Sequence, residues 1–258
     1  MSKKNNIGDR IDQLLKELRL PAMRSQYRQA ADRAIAEDTG YEQFLLELLE
    51  KEAELRSRNR IDRLMRQSRL PAGKTLSSFD LKRLPGSLAA QVRTLVEGSF
   101  LERSENILAF GNPGSGKTHL LCAIGHELVN AGRSVYFTPT VLLVQELLAA
   151  KRDLRLDKLL KKLSRFEAII LDDLGYVQND REEMDVLFTL LAQRYENHSV
   201  MITSNLQFSK WEQIFKDPMT TAAAIDRLVH HSIILELNVP SYRMEAAKKQ
   251  KKSKTAAG

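Results

Sequence analysis

The chain has 258 residues, 43% of them hydrophobic, and carries a formal net charge of +7 with an isoelectric point near 9.4. This length fits one large domain or a core with a small appendage, and a single cysteine, Cys122, excludes an internal disulfide framework. No apolar run approaches the roughly 20 residues that a membrane span needs, and the first residues lead into an amphipathic pattern that is unlike a signal peptide. We therefore expect a cytoplasmic protein whose excess of positive charge suits an anionic polymer.

Residues 1–70 are predicted to form a small all-helical domain. Apolar residues recur at helical spacing from Ile11 to Leu18, and Pro21 ends that pattern. Two further helical stretches cover about 22–36 and 41–67. Residues 71–84 begin with a proline and a glycine and continue with polar residues, so they are predicted to be a linker.

Strand-like and helix-like segments alternate over residues 85–245, which is typical of an α/β domain with a mostly parallel sheet. The five predicted strands are 106–110, 134–138, 167–171, 199–203 and 233–237. Residues 246–258 contain five lysines among small polar residues and are predicted to be a disordered basic tail.

A complete phosphate-binding loop lies between an apolar strand and an apolar helix. Backbone N–H groups of such a turn point at phosphate oxygens, while Lys117 is placed to reach the β- and γ-phosphates and Thr118 to bind Mg²⁺. The alternative is a glycine-rich turn that carries a lysine by chance, but the match is complete and lies between a strand and a helix. The loop consists of Gly111, Asn112, Pro113, Gly114, Ser115, Gly116, Lys117 and Thr118.

Polar residues follow two further strands of the predicted sheet. Asp172 is placed to hold Mg²⁺, and Asp173 to orient or deprotonate an attacking water. Asn205, after the next strand, can hydrogen-bond that water or the γ-phosphate. An acidic turn and an ordinary Ser-Asn turn are the alternatives, and the order of these residues after the loop favours a site.

Arg227 lies late on the helix before the last predicted strand. An arginine is suited to neutralising the charge that develops on a transferring phosphoryl group. Nothing local shows that Arg227 reaches a phosphate, so an ordinary surface arginine is the alternative.

The ordered set of the loop, Asp172-Asp173, Asn205 and Arg227 resembles an AAA+ ATPase of the group that contains DnaA and DnaC. The closest resemblance is to the IstB-like transposition helper ATPases. It rests on the stretches 110–119, 171–176, 203–205, 224–228 and 240–243 and on the helical N-terminal region, so it covers most of the chain.

The resemblance implies a function for each motif residue. Lys117 and Thr118 would be the Walker A pair, Asp172 the Walker B metal ligand, Asn205 sensor 1, and Arg227 an arginine finger supplied to a neighbouring subunit. ATP sites would then lie at subunit interfaces of a ring or spiral oligomer. The chain departs from many AAA+ proteins in having Asp173 where glutamate is common, and the shorter side chain suggests slow hydrolysis. We expect this hydrolysis to depend on Mg²⁺ and to be stimulated by DNA or a partner. We also expect no C-terminal lid, which leaves Arg243 as a speculative substitute for sensor 2.

A basic stripe is the predicted DNA-binding element. Lys151, Arg155, Lys158 and Lys162 fall at helical spacing on one face of a helix predicted near 152–164, and leucines occupy another face. Such a stripe suits a phosphate backbone read without sequence specificity, and the position resembles the DNA-facing side of the family's ring. The alternative is a solvated lysine face.

These features together predict a DNA-binding ATPase that assembles on DNA and assists an IstA-like transposase in insertion-sequence transposition. A replicative helicase loader of the DnaC kind is the alternative. A small-molecule kinase is a third hypothesis, for which the sequence offers no evident pocket for an acceptor substrate.

Overall fold

The computed structural model describes residues 2–174, 181–206, 211, 222, 225–226 and 228–242. The chain divides into two compact units, Met1–Arg63 and Leu64–Gly258. The first unit is therefore shorter than the predicted domain 1–70. The reason is that Leu64 and Met65, near the end of a long helix, pack against the core of the second unit. The predicted limits of the linker, of the α/β domain and of the basic tail stay predictions.

The first unit is helical, as the sequence indicates. It contains α1 (Ser2–Glu17), α2 (Pro21–Ala36) and most of α3 (Tyr41–Ser68). Pro21 starts α2, since the first helical position needs no N–H donor. The buried carboxylate of Glu52 accepts hydrogen bonds from the backbone N–H groups of Ala22 (2.9 Å) and Met23 (3.3 Å), so α3 caps the start of α2. A small core of Met23, Ala30 and Leu48 lies between the helices.

The second unit is built on a five-stranded parallel sheet, which confirms the predicted sheet. Its strands are β1 (Asn106–Phe110), β2 (Val135–Pro139), β3 (Ala168–Asp172), β4 (Ser199–Ser204) and β5 (Ser232–Glu236). Their order is β2-β3-β4-β1-β5, and every neighbouring pair is parallel. Strands β1, β3 and β4 lie inside the sheet, so their carboxyl ends form adjacent positions on one edge.

Helices cover both faces of this sheet and bury two apolar clusters. One cluster includes residues of α7 (Thr140–Arg152), α8 (Leu156–Leu163) and α9 (Arg181–Arg194). The other includes residues of α4 (Gly86–Val96), α5 (Ser99–Glu102) and α6 (Lys117–Asn130). A short 3-10 helix, Leu81–Arg83, precedes α4.

Cys122 lies on α6, buried in the second of these clusters. Burial raises the pKa of its thiol to about 12. The thiolate, which is the reactive form, is therefore suppressed, and Cys122 is a buried structural residue.

The predicted basic helix near 152–164 is present as α8 but begins only at Leu156, so the prediction that four basic residues share one face of it is wrong. Helix α7 ends at Arg152, and the chain turns at Leu154, whose φ is +56°. The backbone N–H groups of Leu154 and Arg155 donate to carbonyls of the last turn of α7, which closes that helix before α8 begins. Lys151 therefore lies on α7, Arg155 precedes α8, and only Lys158 and Lys162 share a helix.

Several predictions concern residues outside the described part of the chain. They include the lysine tail, Arg243 and the predicted absence of a C-terminal lid. Among the residues that the structure does describe, no helix combines the length and the apolar character that crossing a membrane demands.

Candidate nucleotide-binding site

The phosphate-binding loop joins the end of β1 to the start of α6. This arrangement directs the N–H groups of the first turn of α6 toward the space above the sheet edge. The loop opens into a cavity of about 690 Å³, a size typical of small-molecule sites. The cavity walls include the loop residues 113–118 together with Asp173 and Asn205, which come from different strand ends.

Lys117 is buried at the start of α6, and its ammonium group is held inside the loop. Its Nζ donates to the backbone carbonyls of Gly111 (2.7 Å) and Asn112 (3.0 Å). Only 6% of the residue is exposed, so the charge lies in a partly desolvated position where it attracts anions more strongly than at the surface. The ammonium is therefore positioned to bind phosphate oxygens that enter the loop.

Thr118, Asp172 and Thr203 form a continuous hydrogen-bonded cluster of oxygen atoms. Oδ1 of Asp172 accepts from the hydroxyl of Thr118 at 2.6 Å and from the hydroxyl of Thr203 at 2.7 Å. The Thr140 hydroxyl also donates to the backbone carbonyl of Asp172 at 2.9 Å. The pairing of Thr118 with Asp172 is the arrangement that the sequence predicts.

This cluster fits Mg²⁺, which prefers oxygen ligands and is commonly held by one or two carboxylates plus substrate phosphates. Thr118 and Asp172 offer a hydroxyl and a carboxylate to such an ion. Within the described ranges no group of three or more His, Cys, Asp or Glu side chains could hold a metal by itself. A magnesium ion at this position would take its remaining ligands from waters and from the phosphates of the nucleotide.

Asp173 and Asn205 lie on the same cavity, as the sequence predicts. Asp173 has a φ of +58°, and its backbone N–H donates to the hydroxyl of Thr203 at 2.8 Å, which fixes this unusual conformation. Oδ1 of Asn205 is buried and has no hydrogen-bond partner among the described residues. A buried acceptor without a donor is rare, and one that lies on a cavity is suited to a bound water or ligand.

The other predicted site residues lie elsewhere or outside the described part. Arg227 belongs to the residues that the structure does not describe. The four basic residues of the predicted DNA-binding stripe are exposed and do not line the cavity; they are Lys151, Arg155, Lys158 and Lys162. They lie on α7, on α8 and on the turn between these helices, and none of them forms an ion pair with a carboxylate of the described residues.

Thr203 and a second group of residues near the cavity are not predicted from the sequence. Thr203 could have been found, because it is a polar side chain at the carboxyl end of the strand next to β3. The other group belongs to the segment predicted to be a linker, which packs against His119 of α6. Nε2 of His119 lies 3.1 Å from both the Ser78 hydroxyl and the Thr75 carbonyl of that segment. No local pattern reveals this group, whose cavity-lining members include Lys74, Phe79, Asp80, Arg83 and Leu84.

Comparisons with known proteins agree with this geometry. A family model described as IstB-like ATP binding protein matches residues 13–253. The chain is 44% identical over 253 residues to a putative insertion sequence ATP-binding protein of Sinorhizobium fredii, covering 96% of this chain and 85% of that protein. It is 37% identical over 239 residues to the insertion sequence IS21 putative ATP-binding protein of Pseudomonas aeruginosa, with 93% and 90% covered. The crystal structure of DnaI matches with a TM-score of 0.55 and 22% identity over 66% of this chain and 95% of that chain, which supports the predicted AAA+ fold.

Proposed function

Because the chain belongs to the IstB-like ATP-binding protein family, we propose that it is an ATPase that assembles on DNA and assists a transposase. It is an AAA+ protein of the insertion-sequence ATP-binding type, with ATP as its ligand. The observation that carries the proposal is the hydrogen-bonded cluster of Thr118, Asp172 and Thr203 beside the phosphate-binding loop.

Nucleotide binding would use the loop and the residues at its base. The backbone N–H groups of the loop from Gly114 to Thr118 would hold the phosphates, and Lys117 would neutralise their charge after leaving the carbonyls of Gly111 and Asn112. Thr118 and Asp172 would hold Mg²⁺, which supplies positive charge beside the phosphates when it is bound. The Thr203 hydroxyl keeps the Asp172 carboxylate turned toward Thr118.

Hydrolysis would require a water that is oriented by the polar groups at the far strand ends. Asp173 can accept a proton from such a water, and the buried Oδ1 of Asn205 can accept a hydrogen bond from it. Aspartate reaches less far than glutamate, which is consistent with a slow ATPase. Arg227 of a neighbouring subunit would stabilise the developing charge, as the family resemblance implies.

DNA binding would use the exposed cations around the α7–α8 junction. The proposed contacts with DNA lie on two helices and on the turn between them. They are Lys151, Arg155, Lys158 and Lys162. The leucines of α8 pack against the first apolar cluster, so this helix has a firm base from which its lysines can contact phosphates.

A replicative helicase loader is the alternative function, since the DnaC helicase loader shares this fold with a TM-score of 0.50. The two relatives reported above are insertion-sequence proteins and cover more than 90% of this chain, which favours the transposition function. A small-molecule kinase would need a second pocket for its acceptor beside the loop.

The proposal is tested by measuring DNA binding and ATP hydrolysis together. Fluorescence anisotropy of a labelled duplex should show tight binding with Mg²⁺ and a nonhydrolysable ATP analogue and weak binding without nucleotide. Electron microscopy of the same complex should show a ring or spiral on DNA, and a pull-down should retain the transposase but not a replicative helicase. DNA affinity that is identical with and without nucleotide would contradict the proposed assembly switch.

A further inference from the structure

The backbone after β5 runs along one side of the phosphate-binding loop. The N–H of Leu237 donates to the carbonyl of Phe110 at 2.7 Å, which extends the pairing of β5 with β1 by one residue. The Leu237 carbonyl then faces Gly111, where an added Cβ would lie 2.5 Å from the carbonyl oxygen. The first residue of the loop is thus in direct contact with this segment.

The contact continues at the centre of the loop. The N–H of Tyr242 donates to the carbonyl of Gly114 at 3.0 Å. A Cβ added to Gly114 would overlap the hydroxyl of Ser241, and φ of Gly114 is +81°, so no other residue fits this position. The segment 239–242, here termed the brace, therefore packs against the turn that must surround the phosphates.

The brace is held in place from its other side by Arg83. One guanidinium nitrogen of Arg83 donates to the carbonyl of Pro240 at 3.1 Å, and the guanidinium carbon lies 5.3 Å from the centre of the Tyr242 ring. A cation at this distance from an aromatic ring is attracted to it. Arg83 belongs to the 3-10 helix that also lines the cavity, so the loop and both of its flanks form one connected structure.

We propose that the brace is a positioning element for the phosphate-binding loop, so that its docking favours nucleotide binding. The loop carbonyl of Gly114 is fixed by Tyr242, while the carbonyls of Gly111 and Asn112 bond Lys117. When phosphates draw Lys117 away, Tyr242 and Ser241 still hold the turn in the shape that directs its N–H groups inward. By linkage, bound nucleotide must stabilise the docked brace to the same extent.

Ser241 provides the sharpest test because it contacts the loop but does not line the cavity. Ser241→Leu should push Gly114 outward and weaken binding of a fluorescent ATP analogue about tenfold, a typical effect of overpacking. Asn238→Leu is the control, since it also introduces a leucine, at an exposed position just before the brace. Its affinity should equal that of the unchanged protein.

Hydrogen exchange in the nucleotide-free protein separates positioning from direct contact with the nucleotide. Tyr242→Pro removes the N–H that donates to the carbonyl of Gly114. It should speed hydrogen exchange at the amides of residues 114–116 about fivefold, which is the effect expected from the loss of one hydrogen bond. It should also weaken nucleotide binding. The proposal would be overturned if the folded Ser241→Leu and Tyr242→Pro proteins kept the unchanged protein's affinity for nucleotide. It would also be overturned if their rates of amide hydrogen exchange at residues 114–116 were unchanged. Because these measurements need neither DNA nor transposase, they are independent of the proposed assembly on DNA.

Discussion

The hydroxyl of Thr203 donates to Oδ1 of Asp172 at 2.7 Å and at the same time accepts from the backbone N–H of Asp173 at 2.8 Å. One side chain of β4 thereby fixes both acidic residues at the end of β3. Thr203 is fully buried, so no water can take over these two hydrogen bonds. The orientation of the proposed metal ligand and of the proposed water-orienting residue depends on this hydroxyl.

We predict that Thr203→Val lowers the rate of ATP hydrolysis at least tenfold while nucleotide binding changes much less. Valine has nearly the same shape but removes the hydrogen bonds to Asp172 and to the N–H of Asp173, each worth about 0.5–1.5 kcal/mol. Thr203→Ser keeps the hydroxyl and should retain most of the activity. Steady-state hydrolysis and titration with a fluorescent nucleotide measure the two effects. Equal activity of the valine and serine variants would show that the hydroxyl has no positioning function.

The sequence predicts those parts of the site that depend on local order along the chain. The loop lies between a strand and a helix, and Asp172 follows a buried strand, so the approach of Thr118 to Asp172 could be expected. The contribution of Arg83 could not, because its contact with Pro240 joins segments that only the folded chain brings together. The turn at Leu154 was also missed, since a leucine in a left-handed conformation gives no signal comparable to glycine.

Lys117→Ala should abolish measurable ATP binding. The ammonium group is the buried positive charge of the loop, and its loss removes charge-assisted hydrogen bonds to the phosphates. Lys82→Ala is a suitable control because Lys82 is an exposed lysine near the cavity that does not line it. Isothermal titration with ATP and Mg²⁺ measures the difference. Unchanged affinity in Lys117→Ala would refute the assignment of the loop.

Charge reversal tests the proposed DNA contacts on α7, α8 and the turn between them. Arg155→Glu combined with Lys158→Glu should weaken binding to duplex DNA strongly, since both exposed cations become repulsive to phosphates. If four phosphates are neutralised in the unchanged protein, log K should fall with log salt at a slope of about −3.6. The variant should show a shallower slope.

The control for this experiment carries the same change in net charge on helices other than α7 and α8. Lys16→Glu combined with Arg93→Glu reverses two exposed cations on α1 and α4. Its DNA affinity should fall only slightly, through the lower net charge. If both variants lose affinity equally, the cations of the α7–α8 junction are ordinary solvated residues.

Arg227 is expected to act on the nucleotide of a neighbouring subunit. Arg227→Ala should bind ATP but not hydrolyse it, and Asp173→Asn should also be inactive because it lacks the group that orients water. A mixture of the two variants contains interfaces in which an intact Asp173 faces an intact Arg227. Partial recovery of hydrolysis in the mixture supports action between subunits. Absence of recovery at any mixing ratio would make Arg227 a surface residue.

Arg194 is expected to be a major contributor to the stability of the second unit. Its guanidinium is buried and donates to the backbone carbonyls of Leu163, Phe166, Glu167 and Ser199, at distances of 2.9–3.3 Å. Burial lowers the pKa of Arg194 to about 9, which reflects the cost of placing its charge in the interior.

Arg194→Leu relieves that cost but leaves the carbonyls without their donor, and each buried acceptor left unsatisfied costs about 1–3 kcal/mol. The second effect should dominate, because several carbonyls are affected at once. We expect the free energy of unfolding to fall by roughly 3 kcal/mol or more, measured by urea denaturation. Arg194→Lys retains one donor group and should lose less. A leucine variant as stable as the unchanged protein would mean that the burial of the charge outweighs its hydrogen bonds.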